Sequence, residues 1–328
     1  MSGAAWLTRS IRLVLLVALP LGFALTVKHF LSLDNLYAIF QSFAFLGLLA
    51  LGLSVTMIAG EFDLSVAAMA TVAGLVTIKL VVLGPVAAVL CAVMVGTVIG
   101  IGNAVLLPWL QISSLVTTVG TMILLNGVGF WLAGGRVLSY DNFDVSDALD
   151  QTLLGIFSPR SLITILCFLL IAAFLQFTKL GRDIYASGGH RRAAIQSGAR
   201  VGLALVVCFA ISGAFAALAG SLISLSLATA SATLDSTTLL QAAAAAIIGG
   251  VALGGGIGSP ASVATGVLIL TILNNGLGLL SASSTELLLV NGALLLIVVL
   301  LDGKAGQALM DLRRKTAQTK RRNVTWQG

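Results

Sequence analysis

A chain of 328 residues that is 58% hydrophobic and only 9% charged, with a mean hydropathy of +1.08, has almost no soluble part. An ordinary globular domain carries roughly 25% charge, so a single aqueous core cannot hide this much apolar surface. A soluble globular domain is excluded; the bilayer is the solvent, and backbone polar groups must be satisfied inside helices.

A spanning helix needs roughly 20 mostly apolar residues. Breaks in hydropathy predict about ten spans, near 11–30, 36–58, 64–83, 86–107, 115–133, 161–178, 203–227, 237–253, 261–281 and 286–301. Glu61 and Asp63 interrupt the second apolar run, Gly84-Pro85 the third, and Pro108 is expected to close the fourth. The eighth span is short enough for a re-entrant arrangement. The fold class is therefore an all-α polytopic membrane protein, a single transmembrane domain over residues 1–328.

An even number of spans puts both termini on one side. Taking that side as cytoplasmic places fourteen of the eighteen basic residues inside: Arg9 and Arg12, then Lys179, Arg182, Arg191, Arg192 and Arg200, then the tail from Lys304 through Arg313-Arg314-Lys315 to Lys320-Arg321-Arg322. Outside remain Lys28, Lys79, Arg136 and Arg160, among a surplus of acids that includes Asp34, Asp141, Asp144, Asp147, Asp150, Asp235 and Glu286. This is a positive-inside bias. It also accounts for the pI near 9.6 without nucleic acid, because a basic tail at 302–328 beside anionic headgroups needs no other partner. The apolar stretch after Arg9 and Arg12 is read as an uncleaved first helix. Cys91, Cys167 and Cys208 fall inside spans, where thiols behave as small apolar residues.

The sequence has no phosphate loop, no nucleophile elbow and no metal-ligand spacing, so neither a cofactor nor a catalytic site is expected in this chain. Gly254-Gly255-Gly256-Ile257-Gly258-Ser259 lacks the lysine of a phosphate loop. Span centres hold essentially no acids, the usual mark of ion coupling. Energy for uphill transport would come from another subunit.

Neutral polar residues remain within the spans: Gln41, Asn103, Asn126, Gln241, Asn274, Asn275 and Asn291. Interhelical hydrogen bonding explains such residues, and a route for a neutral hydrophilic solute would need the same groups. Asn103, Asn126, Gln241, Asn274 and Asn275 are the candidate pathway residues. Adjacent side chains on a helix point about 100° apart, so one of Asn274 and Asn275 is expected to bond a neighbouring helix and the other to line the route. Small residues at helix-packing spacing (Gly96 and Gly100, Ala216 and Gly220, Gly250 and Gly254) allow close backbone approach. Asp63 is expected to cap the third span with help from Ser65; a gating or partner contact is the alternative. The loop 178–202 mixes short amphipathic stretches with glycines and reads either as a solvated basic loop or as a docking element. In the outer loop 134–160, Asp141, Asp144, Asp147 and Asp150 recur every third residue, facing a partner or simply solvated.

Four stretches resemble the membrane permease subunits of bacterial carbohydrate ABC importers of the ribose, xylose and autoinducer-2 type. Gly60-Glu61-Phe62-Asp63-Leu64-Ser65-Val66 is similar to the family's G-[GE]-I-D-L-S-V-G signature, and residues 114–121, SLVTTVGT, to its P-x-x-x-T-L-G-T stretch. Residues 178–198 resemble its coupling region, and 246–259 with Asn274-Asn275-Gly276 its glycine-rich tail. Phe62, Ala67, Ser114 and His190-Arg191-Arg192 depart from the pattern. The resemblance implies an importer permease fold with about ten helices in the cell inner membrane. It implies a signature loop carrying Glu61, Asp63 and Ser65, and an ATPase-coupling loop carrying Gly181, Arg182, Tyr185, Gly188, Gly189, Ala193, Ala194, Ser197 and Gly198. The implied partners are a second permease copy or paralogue, a cytoplasmic subunit that binds ATP-Mg, and a periplasmic sugar-binding protein. A branched-chain amino-acid permease, a partner-independent channel and a membrane enzyme are the alternatives. Gly188-Gly189 is expected to form the turn of the coupling loop.

Overall fold

The computed structural model describes residues 3–110, 112–232 and 237–302; the basic tail beyond 302 and Asp235 lie outside them. Helices dominate: α1 (Gly3–Thr26), α2 (Leu33–Ile58), α3 (Val66–Leu80), α4 (Pro85–Leu110), α5 (Ser114–Ala133), α6 (Asp144–Asp150), α7 (Pro159–Phe177), α8 (Lys179–Gly189), α9 (Arg191–Gln196), α10 (Val201–Ser226), α11 (Thr237–Ile248), α12 (Pro260–Leu279) and α13 (Ser284–Asp302). Seven of them (α2 to α5, α7, α10 and α12, with α3 extended by a 3-10 turn to Leu83) are long and apolar enough to cross a membrane. Shorter apolar helices cover Arg12–Thr26, Thr237–Ile248 and Ser284–Ile297.

Serines and prolines set the helix starts. Ser158-Pro159-Arg160-Ser161 and Ser259-Pro260-Ala261-Ser262 repeat one device: proline at the first turn and a reciprocal pair of serine hydroxyl to backbone bonds. Proline costs nothing there, since its missing N–H would be unpaired anyway. Ser32 and Ser113 cap α2 and α5, accepting from Asn35 N and Val116 N. Pro108 does not close the fourth span; α4 runs through it to Leu110, because proline disturbs the turn before it rather than the residues after it. The first span ends early, at Thr26, and residues 27–32 turn with His29 at φ 62°.

The centre is α10, with α2, α3 and α4 packed against it. The apolar windows of α2 and α3 are 72% buried, whereas those of α4 and α5 are 28% and 22% buried and leave Val116, Leu124 and Trp131 exposed. Small residues make the central contacts. A Cβ on Gly96 or Gly100 would strike the carbonyl oxygen of Gly213 or Phe209 on α10, and one on Gly220 that of Ala70 on α3. Two of the three small-residue pairs are thus helix-packing sites. Gly250 and Gly254 are not, since both lie in the loop after α11, where Gly250 abuts the Arg12 guanidinium.

Loops separate to two ends. At one end meet the start of α1 (Arg12 Nη1 to Gly249 O, 2.7 Å), the α2–α3 loop, the α4–α5 turn, α8–α9 and the α11–α12 loop. At the other, a two-stranded pair joins Leu138–Ser139 to Thr229–Ala230. Val81, Ala133, Leu225 and Ala230 cluster there.

Candidate functional site

The loop Ala59–Ser65 is held on three sides. From α5, Ser114 Oγ accepts the Phe62 N–H at 3.2 Å and Thr118 Oγ1 accepts the Leu64 N–H at 3.1 Å. From α10, the Ser212 hydroxyl donates to Asp63 Oδ2 at 2.8 Å. Asp63 Oδ1 accepts the Ser65 N–H at 3.0 Å and the Ser65 hydroxyl at 2.5 Å. The line continues: Asn103 Nδ2 on α4 donates to Ser65 Oγ at 3.1 Å, and Thr121 on α5 donates to Asn103 Oδ1 at 2.6 Å. Asp63, Ser65, Asn103 and Ser212 are all buried. Asp63 therefore bonds only the N-cap residue of α3, Ser65, and caps no N–H within the helix; its larger role is to tie the loop to α10. Asn103 belongs to this network.

On the loop's outer side sit α8 and α9. Glu61 pairs with Arg191 at 2.7 Å. The backbone breaks between these helices at His190 (φ −157°, ψ 94°), whose Nδ1 accepts the Ala193 N–H at 3.3 Å. The expected turn at Gly188-Gly189 is thus displaced, because both glycines continue α8. Gly188 serves close approach instead. A Cβ there would collide with Ile58 O and lie 2.5 Å from Gly256 N, whereas one on Gly189 meets nothing. A Cβ on Gly255 would sit 2.7 Å from Gly60 Cα, and Gly256 N donates to Ile58 O at 2.8 Å. Tyr185 OH donates to Gly258 O at 2.9 Å, and burial pushes this phenol's pKa up. Gly181 packs on the Leu175 backbone with its N–H capped by Thr178. Ala194 is buried; Arg182, Ala193 and Ser197 are exposed, and Gly198 (φ 79°) ends α9. The motif stretches 60–66, 114–121, 178–198 and 246–259 therefore converge at one end of the bundle, while Asn274-Asn275-Gly276 lies away from it. Ser114, Thr118 and Thr121 share one helical face, and that i, i+4, i+7 hydroxyl spacing was the available signal for their role.

A cavity of about 490 Å³ lies toward the other end, between α2, α7, α11 and α12. Gln241, Asn274 and Asn275 line it with Gln41, Ser42, Phe45 and Arg160. Asn126 does not; it is exposed on α5. Asn274 accepts from Asn291 at 2.8 Å, and Asn275 donates to Asn35 at 2.9 Å. The expected division of labour fails, since each asparagine bonds a neighbouring element and also lines the cavity. Below the cavity Asp150 is a hub. Its Oδ1 receives Arg160 Nε at 2.7 Å and Gln41 Nε2 at 3.2 Å, and its Oδ2 receives Ser226 at 2.6 Å. Asp141, Asp144 and Asp147 are exposed, so the acidic stripe divides into one structural residue and three solvated ones. Among the described residues no group of His, Cys, Asp and Glu could hold a metal ion. Replacing Asn275 with Leu and Asn35 with Ala is expected to show a coupling of about 0.6 kcal/mol in a double-mutant cycle of detergent thermostability; additive losses would contradict the bond.

Residues 35–299 match the family model described as branched-chain amino acid transport system / permease component. The chain is 32% identical to the D-allose transport system permease protein of Escherichia coli, over 88% of this chain and 89% of that one. It is 30% identical to the ribose import permease protein of the same species (92% and 95%) and 31% identical to the autoinducer 2 import system permease protein of Yersinia pseudotuberculosis (84% and 79%). No solved structure matches.

Proposed function

Because the chain belongs to the family of branched-chain amino acid transport system permease components, we propose that it is the membrane-spanning subunit of an ATP-driven sugar importer. It crosses the cell inner membrane about ten times with both termini in the cytoplasm. Seven long apolar helices and three short ones support the count, and loops alternating between two ends support the threading. The names of its relatives, which carry allose, ribose and autoinducer 2, favour a sugar or sugar-like solute over an amino acid.

The single observation that carries the mechanism is the convergence of α8–α9 on the loop 59–65. An ATP-binding subunit pressing on α8–α9 moves Gly188, and with it the backbones of Ile58 and Gly256. Glu61 and Asp63 then pass the displacement to α3, α4, α5 and α10 through the buried network. ATP-Mg binds and is hydrolysed on that partner. Gln241, Asn274 and Asn275 belong to the route, and a second permease copy or paralogue packs against the uncovered faces of α4 and α5. A periplasmic binding protein delivers solute to the opposite end.

Reconstitution with its ATP-binding and solute-binding partners in proteoliposomes tests this. ATP-dependent accumulation of labelled D-ribose or D-allose is expected. Equilibration without ATP would make the chain a channel, and accumulation of L-leucine alone would make it an amino-acid permease.

A further inference from the structure

The cavity between α2, α7, α11 and α12 lies within one chain and has the size of a small-molecule site, about 490 Å³ against roughly 300–1,000 Å³ in general. Its wall carries one formal charge, Arg160, and that charge is paired: Nε and Nη2 both meet Asp150 Oδ1, at 2.7 and 2.6 Å. The wall is therefore polar without net charge. Gln241 forms no hydrogen bond to another described residue and offers a whole carboxamide, two donors and an acceptor. Asn274 spends its oxygen on Asn291 and keeps its NH₂ group. Ser42 and Thr238 add hydroxyls, and Phe45 adds an apolar ring.

A mixture of neutral donors and acceptors beside one aromatic face suits a ligand whose own groups both donate and accept while its carbon skeleton stays apolar. A zwitterion would need two opposite charges that this wall does not present, and burying them unpaired is costly. We propose that this cavity is a binding site, complete within one chain, for a neutral polyhydroxylated solute of monosaccharide size. The proposal rests on the permease reading and adds to it that the solute is held inside the protomer before it reaches any surface shared between permeases.

The test is protection of an introduced cysteine. Ser42→Cys, and separately Thr238→Cys, are made in a Cys91→Ser background, since Cys167 and Cys208 are buried. The full complex in nanodiscs is then labelled with a small sulfonated methanethiosulfonate. D-ribose or D-allose is expected to slow labelling about fivefold, the effect of a sugar at about four times its Kd, while L-leucine leaves the rate unchanged. Adding Gln241→Leu should remove the protection. Protection by L-leucine as well, absence of protection by either sugar, or failure of both cysteines to react would each overturn the proposal. Uptake by the unmodified complex is measured in parallel. If uptake is ATP-driven but protection is absent, only the cavity assignment falls; if no sugar accumulates, the permease reading falls with it.

Discussion

Gly188→Ala is expected to reduce ATP-driven uptake by about tenfold or more while Gly189→Ala leaves it near wild type, although the two glycines are adjacent in one helix. The three nearest atoms that a Cβ on Gly188 would meet all belong to backbone: Ile58 O, Gly256 N at 2.5 Å and Ala59 C at 3.0 Å. Backbone cannot swing aside as a side chain does, so α8 must move away from the end of α2. Overpacking of this kind costs about 1–3 kcal/mol when a core absorbs it. Here the displacement also breaks the register between α8 and the loop 59–65. ATP hydrolysis by the assembled complex should persist, uncoupled from transport. Uptake and phosphate release, measured on the same proteoliposomes with matched protein levels, check this. Equal, mild effects at both positions would show that the close approach does not matter for coupling.

Asp63→Ala is expected to lower the detergent Tm by about 5 °C or more, as a loss of several kcal/mol implies, and to abolish uptake; Asp63→Asn should retain most of both. Alanine strands the Ser65 N–H and the Ser212 hydroxyl in a dry interior, at about 1–3 kcal/mol for each unpaired group. Asparagine keeps an acceptor for Ser65 and can donate to Ser212 Oγ. Burial in this loop, outside both flanking spans, raises the Asp63 pKa, opposed by the hydrogen bonds from the Ser65 side chain, Ser212 and the Ser65 backbone. A carboxyl raised in the folded state stabilises the fold below its unfolded pKa, and that contribution is lost as pH rises through the folded value. The Tm of Asp63→Asn should therefore gain on wild type from acid to neutral pH. Equal loss of uptake in both variants with the Tm of Asp63→Asn preserved would show that the charge itself works in transport.

The seven long spans were legible because punctuation is local. Gly84-Pro85 stands where α4 begins, and its effect needs no knowledge of the rest of the chain. Which side of each helix faces inward was not legible. Asn103 and Asn126 are the same residue type in neighbouring spans, yet one is buried in a network and the other exposed. In a membrane helix both the packed face and the lipid face are apolar, so the amphipathic signal that sorts them in soluble proteins is missing. The four motif stretches could be recognised one by one, but the meeting of three of them at Gly60, Gly188 and Gly255 is a fact of tertiary structure that no spacing announces. The break at His190 was hidden for a related reason: two glycines beside it looked like the hinge, while the close contacts they make favour keeping them helical.

The meeting of α8 with the ends of α2 and the α11–α12 loop is made of peptide groups, and this bears on how fast and how faithfully it can relay a push. Contacts between side chains have slack, because rotamers can flip and take up an ångström before anything beyond them moves. Peptide groups held by the Gly256 N–H to Ile58 O bond and by glycines without Cβ atoms have no such freedom. A stroke applied to α8 has to arrive at α2 undiminished or break the joint, with little in between. The motion at this place is thus that of a stiff lever, and whatever compliance the importer has must reside elsewhere.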